Sequence, residues 1–409
     1  MVRHMSSRVI RVIVVVAVSV MPLLGQPGPV QAATSTGTLY GLGPSSVVTI
    51  DPTTGSTATF AQLPQIDTPP GAFFNNLVSD AAGHRLFTQR GFFGDPPDFT
   101  PHFQIVTIDT RTAETSISND MASGVTSLVY DPNSGSLFGQ TNMCCPFQMV
   151  RIDPATGVQT HVADIPGVQP LGMVLVPSRH SIYFATEDFK AGQFQPFITL
   201  VTIDTVTGAV SQSPQLSQGL VALVYDSVSG DLFGKTFCCP ASLVRVNPAS
   251  GAETAVAPGL PIGPGLAIDP ATHNVYMAED VFTGFAFYQL IVSVNDQTGA
   301  TSISSGQLPS DTYVGALAFH NIVITPAVIA SDLQAAIANR AITNPGVAAS
   351  LQAELDGAAG ARARGDCSVS GNLYNAFIND VTAQTGRSIT QAAASQLVTD
   401  AKLLIANCP

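Results

Sequence analysis

A turn signature recurs six times along the chain. It reads Ile50-Asp51-Pro52-Thr53-Thr54-Gly55, Ile108-Asp109, Ile152-Asp153-Pro154-Ala155-Thr156-Gly157, Ile203-Asp204, Val246-Asn247-Pro248 and Val294-Asn295. In each copy an apolar strand runs into an acid or amide whose side chain can cap a type I turn. Where present, Pro presets the next φ and Gly supplies the left-handed position. A second pattern alternates with the first, a strand, a turn and another strand. It appears at Leu77–Phe87, Leu128–Gly139, Met173–Phe184, Leu223–Gly234 and Leu266–Tyr276, and ends as a fragment at Leu317-Ala318-Phe319. The turn residues recur at intervals of about 43 to 58 residues, the length of one four-stranded unit in a radial array.

Such units predict a mainly β chain, a six-bladed β-propeller over residues 33–325. The Leu317–Phe319 fragment lacks the strands that should follow it, and the N-terminal Thr38–Gly41 and Val47–Asp51 segments supply them. One blade is therefore expected to join both ends of the chain. A hairpin solenoid would instead leave its end strands unpaired. The segments Leu128–Gly157 and Leu223–Gly251 resemble secreted bacterial repeat propellers of the NHL and YVTN type. That resemblance implies a fold and says little about chemistry.

The first 32 residues have the form of a signal peptide. Arg3, His4, Arg8 and Arg11 precede an apolar run to Gly25, and Val30 and Ala32 take the −3 and −1 positions of a small-residue cleavage site. No cysteine near that point offers a lipid attachment. No later run reaches the ~18 apolar residues of a membrane span. The expected location is secreted, extracellular or associated with the cell surface. With 28 acidic against 16 basic residues and a net charge of −12, phosphate neutralisation fails, which argues against nucleic acid or an anionic membrane as partner.

The irregular sequence falls between the second and third strands of each blade, on one face of the ring. In blades 1, 3 and 5 these loops are long and aromatic. They contain Phe92, Phe93, Asp95, Phe99 and His102; Glu187, Asp188, Phe189 and Phe194; and Glu279, Asp280, Phe282 and Phe285. Blades 2 and 4 carry Cys144-Cys145-Pro146 and Cys238-Cys239-Pro240 there, so a pair of blades is the unit used three times. Irregular loops on a rigid scaffold are where binding concentrates. The aromatics either fold back over the blade tops or form a recessed apolar surface with an acidic rim, suited to a polysaccharide, a peptide or a protein. No cofactor is expected. Calcium is the one ion the acids could hold, although they lack the spacing of a calcium loop. In an exported chain each Cys-Cys pair is expected to close as a vicinal disulfide.

From Thr325 the apolar period changes from 2 to 3.6. Thr325 and Asn344 each precede a proline, which predicts N-caps and helices over 326–340, 345–363, 369–385 and 390–407. Tyr374, Phe377, Ile378 and Val381 form one apolar face, and Leu397, Ala401, Leu404 and Ile405 another. Cys367 and Cys408 start one helix and end the next, so an antiparallel hairpin would pair them in a disulfide. Residues 326–409 thus form a separate helical module. Asn375–Val381, Gln384–Gly386, Ile389-Thr390 and Ala393–Leu397 resemble the FIMAH-type module of secreted bacterial proteins. That likeness implies an accessory role and transfers no catalytic residue.

No nucleophile elbow, zinc-protease helix, phosphate loop or dinucleotide fingerprint is present. His84, His180 and His273 fall in corresponding turns and read as turn chemistry. The sequence therefore points to a secreted, non-catalytic recognition protein. The alternative is a metal-assisted, calcium-using hydrolase or lyase of the lactonase-like propeller type. The apolar innermost strands depart from that pattern, and the tryptophan blade motifs of quinoproteins are missing.

Overall fold

The computed structural model describes residues 37–66, 71–94, 99–141, 146–166, 169–188, 197–237, 241–260, 263, 265–282, 287–309, 313–321 and 324–406. The expected signal segment, both Cys-Cys pairs, Asp95, Phe189, Phe194, Phe285 and Cys408 lie outside them. Six four-stranded antiparallel sheets form the blades. Blades 1 to 5 take their strands in chain order from Phe73–Ile117, Val125–Ile165, Gln169–Gln215, Leu220–Leu260 and Ala267–Ile303. Blade 6 is composite, as the sequence predicted. Its innermost strand, Ala316–His320, pairs with Thr38–Leu42, placing His320 opposite Thr38 and Ala316 opposite Leu42. Each innermost strand also packs on the next around the whole ring.

The turn signature joins the third strand of each blade to the fourth. The Asp or Asn Oδ1 accepts the N–H two residues on, at 2.8 Å from Thr53 to Asp51, 2.8 Å from Ala155 to Asp153 and 3.0 Å from Ala249 to Asn247. These backbone donors hold the Asp51 and Asp204 carboxyls below the usual carboxylate range. The N–H four residues on closes the turn on the same residue's carbonyl, at 2.8 Å from Gly157 to Asp153. That closing residue has positive φ in every blade. It is glycine at 55, 157, 208, 251 and 299, and Ala113 in blade 1, at φ 62°. His84, His180 and His273 are also left-handed, at φ 51°, 50° and 57°, and close the turns between first and second strands.

Tall and short blades alternate. In blades 1 and 5 the two middle strands are nine residues long, Arg85–Phe93 with Pro101–Asp109 and Asn274–Phe282 with Phe287–Asn295. In blade 6 they are five, Thr38–Leu42 and Ser46–Ile50. Both kinds start level at the turn face, so the tall blades rise above blade 6 at the loop face by about four residues, roughly 13 Å at ~3.3 Å per residue. Between blades the core is apolar, with Leu86, Phe87, Phe138, Phe184 and Phe233 almost wholly buried.

Four helices follow, α1 Pro326–Ala338, α2 Pro345–Ala363, α3 Cys367–Gln384 and α4 Gln391–Ala406. Thr325 caps α1 by accepting the Val328 N–H, and Asn344 caps α2 by accepting those of Gly346 and Val347. Proline at the first helical position sacrifices no bond there. The helices bury their own cluster, including Leu333, Leu351, Tyr374, Phe377, Val381, Leu397 and Leu404. Cys367 is disulfide-bonded. Their link to the propeller is polar. Arg111, beside the blade 1 turn, donates to Asp332 of α1, and His84 Nε2 lies 3.9 Å from the same carboxylate. Asp400 of α4 is 1% exposed, and burial, with Asp332 close by, pushes its carboxyl up to about 7.

Two outcomes follow from these contacts. A Cβ at Gly157 would lie 2.5 Å from the Asn119 carbonyl oxygen, so Gly157→Ala should lower stability by about 2 kcal/mol or more, while Ala113→Gly should be neutral or raise the melting temperature. The folded pKa of Asp400 lies above its unfolded value. Its contribution is therefore fully present at low pH and is lost as pH rises through about 7. Raising the pH from 6 to 8.5 should loosen the helices, seen as faster proteolysis after the Thr325 linker, and Asp400→Asn should flatten that dependence.

Candidate functional site

The alternation of blade heights shapes the loop face. Blade 6 turns tightly there, with the Gly43 N–H bonded to the Ser46 carbonyl at 2.8 Å, between the taller blades 5 and 1. In this saddle, at the mouth of the central channel, lies a cavity of about 610 Å³. Its floor is Leu42, Gly43 and Pro44 of blade 6. Phe73, Phe74, Asn75 and Asn76 form one wall, and Tyr313, Gly315 and Gly265 the other. The volume falls within the range of small-ligand and peptide-anchor pockets.

Two local features build the wall from blade 1. The innermost strand bulges between Asn75 and Val78, leaving Asn76 left-handed at φ 60°, a conformation asparagine tolerates better than most residues. Its Nδ2 is buried and has no hydrogen-bond partner among the described residues. An unpaired buried donor costs about 1–3 kcal/mol, and this one belongs to a cavity-lining side chain. Gly91, opposite Phe73 in the sheet, has no Cβ because the Phe73 ring occupies that space; a Cβ there would lie 2.2 Å from Cζ.

Around the saddle the surface is aromatic. Phe73, Phe93, Phe99, Phe237, Phe282, Phe287 and Tyr313 are all exposed, and all stand on the loop face. Phe287 and Tyr313 touch, with ring centroids 5.9 Å apart. On the turn face the exposed apolar residues are aliphatic and scattered, among them Val158, Val206 and Val228.

The residues singled out from the sequence separate into groups. Phe93, Phe99 and Phe282 project from the tall blades, Phe282 being 74% exposed. Phe92 does not project. It stacks on His102 at 4.9 Å, with the Arg90 guanidinium 5.0 Å from its ring centre. His102 Nδ1 lies 2.6 Å from Asp120 Oδ2, so Phe92 and His102 belong to a local strut. Glu279, expected on an acidic rim, turns inward and is 2% exposed. Burial raises its carboxyl to about 7 despite the attraction of Lys235. Lys235 is itself buried, with its ammonium pushed below the usual range, and donates to the Gly263 carbonyl at 3.0 Å. Asp280 accepts from Gln289 at 2.9 Å, and Glu187 is half-buried. The cavity's own residues, Phe73, Phe74, Asn76 and Tyr313, lie in blade connections and at a bulge, where no periodicity marks them.

No protein-family model matches the chain, and no curated protein does. Solved structures do. A chain from the crystal structure of a nidogen/laminin complex superposes with a TM-score of 0.52 at 13% identity, over 70% of this chain and 99% of that one. TolB from Acinetobacter baumannii gives a TM-score of 0.49 at 12% identity, over 71% of this chain and 67% of the other. At 13% identity the nidogen/laminin likeness bears on the fold, a six-bladed propeller.

Proposed function

We propose that the protein is a secreted, non-catalytic recognition protein whose loop face holds a protein partner over the saddle between blades 5, 6 and 1. The carrying observation is the gathering of every exposed Phe and Tyr among the described residues on that one face, around a cavity with an unpaired buried donor. Exposed aromatic clusters of this kind mark interaction surfaces, because each ring buries a large area for little conformational entropy. Tyr313 and Phe73 would flank an inserted segment, and Asn76 Nδ2 would donate to one of its oxygens. The matched chain of the nidogen/laminin complex comes from a protein–protein assembly, which supports the same use of the fold here. None of the described cavity-lining residues is a carboxylate or an imidazole, so the lining favours recognition over calcium-dependent hydrolysis. The helices, docked on the turn face, would leave the loop face open to a partner. No helix among the described residues is long and apolar enough to cross a membrane.

The test is retention of the mature chain on cell-envelope protein and on insoluble polysaccharide, with and without chelator. Retention on the protein fraction should survive chelation. Phe282→Ala and Tyr313→Ala should each weaken it roughly tenfold, about 1.4 kcal/mol. Asn76→Gly should weaken it while leaving the melting temperature intact, because glycine accepts the same φ. Phe92→Ala should lower stability and leave retention unchanged. Retention indifferent to Phe282 and Tyr313 would overturn the proposal, as would chelator-sensitive turnover of lactones or esters. Retention on polysaccharide alone would reassign the partner.

A further inference from the structure

On the turn face, each pair of blades places three residues at corresponding positions of the repeat. They are His320, His84 and Thr110 at blades 6 and 1; Asp131, His180 and Thr205 at blades 2 and 3; and Asp226, His273 and Asp296 at blades 4 and 5. The backbone frame is common to all three. The N–H of Thr110, Thr205 or Asp296 donates to the carbonyl of His84, His180 or His273, at 2.8, 2.7 and 2.8 Å.

The chemistry differs at the third place. The Thr205 hydroxyl completes its own turn by donating to the His180 carbonyl at 3.1 Å, and the Thr110 hydroxyl lies 3.3 Å from His320 Nε2. An uncharged threonine thus occupies this place twice while the backbone N–H closes the turn, so the fold does not require Asp296. With aspartate there, His273 Nδ1 is flanked by two carboxylates, 2.7 Å from Asp226 Oδ2 and 3.5 Å from Asp296 Oδ1. Both aspartate side chains are 0% exposed, while His273 is 28% open to solvent. Two buried carboxylates side by side are costly unless a cation or proton compensates them. The nearby Arg245 directs its Nε to Asp231 at 3.3 Å. Asp296 Oδ2 is buried and accepts no hydrogen bond among the described residues.

We propose that Asp226, His273 and Asp296 bind a divalent transition-metal ion, Zn²⁺ by chemical class, between blades 4 and 5. Ligand atoms of the three residues lie within 4.8 Å of one another. Tetrahedral bonds of ~2.1 Å place ligands about 3.4 Å apart, so small side-chain adjustments suffice. An imidazole beside two carboxylates suits zinc better than calcium or magnesium. The carboxylates are already oriented, Asp226 Oδ1 by the Val228 N–H at 2.8 Å and Asp296 Oδ1 by Gln297 Nε2 at 2.7 Å, the outer-shell support that metal ligands need. The partly exposed His273 leaves a solvent side for a water ligand. Bound there, the ion would clamp two neighbouring blades, on the face away from the proposed partner.

The experiment is a calorimetric Zn²⁺ titration of the tag-free, chelator-stripped mature chain, with Ca²⁺ in parallel and metal content measured after gel filtration. One Zn²⁺ should bind per chain, uncompeted by Ca²⁺, and raise the melting temperature. Asp296→Thr copies the residue of the other two blade pairs and should fold normally. His273→Asn keeps a residue that tolerates positive φ. Each should weaken this binding by about a hundredfold or abolish it. Zinc binding absent from the wild-type chain would overturn the site and leave the triad as a proton-bridged cluster. Equal zinc stoichiometry and affinity in both variants would overturn it as well.

Discussion

The pairing of Ala316–His320 with Thr38–Leu42 is the constraint on which the rest of the structure depends. Without it the ring would end in a lone strand on one side and three strands on the other, each with an unpaired edge. Closure makes every blade equivalent in its neighbours and fixes the diameter of the channel. The seam is pinned at its end by His320, 1% exposed. Its Nδ1 lies 2.7 Å from Ser79 Oγ and its Nε2 3.3 Å from Thr110. Burial holds the imidazole neutral by pushing its pKa down to about 4, so the seam buries no charge at neutral pH. The cavity at the channel mouth exists because this composite blade is short and sits between two tall ones.

The two faces divide the work. Turns fixed by Asp and Asn make the turn face regular, and the helices dock there through Arg111 and Asp332. The loop face is free of that regularity and carries the exposed rings. Repetition by blade pairs also sets three equivalent positions on the turn face, which the chain has filled differently. One lies beside the helices, one carries an uncharged threonine, and one gathers two carboxylates around an imidazole. A repeated frame lets such chemistry change at one copy without disturbing the other two.

Much of the fold was legible in the sequence because its information is local. An Asx turn with glycine four residues on specifies its own hydrogen bonds, and Thr325-Pro326 and Asn344-Pro345 announce their helices. The alternation of long and short loops likewise gave the loop face and the blade-pair unit. The site was less legible. Phenylalanine in a loop does not reveal whether it projects, as Phe282 does, or is stacked from both sides, as Phe92 is between Arg90 and His102. Glu279 looked like a rim acid, but the period-2 alternation of its strand turns it inward toward Lys235. Asn76 and Tyr313 carry no pattern because a bulge and a blade connection place them. Asp226, His273 and Asp296 come from three turns in two blades. The one signal that could have joined them was the aspartate at 296 where the equivalent positions, 110 and 205, hold threonine.

The most direct measurement is hydroxyl-radical footprinting of the chain from residue 33 on, free and in the presence of the envelope protein fraction proposed as its partner. Protection should centre on Phe73, Phe282, Phe287 and Tyr313 and spare Val158, Val206 and Val228 on the opposite face. Protection of the turn face, with the loop-face rings still fully reactive, would contradict recognition through the saddle.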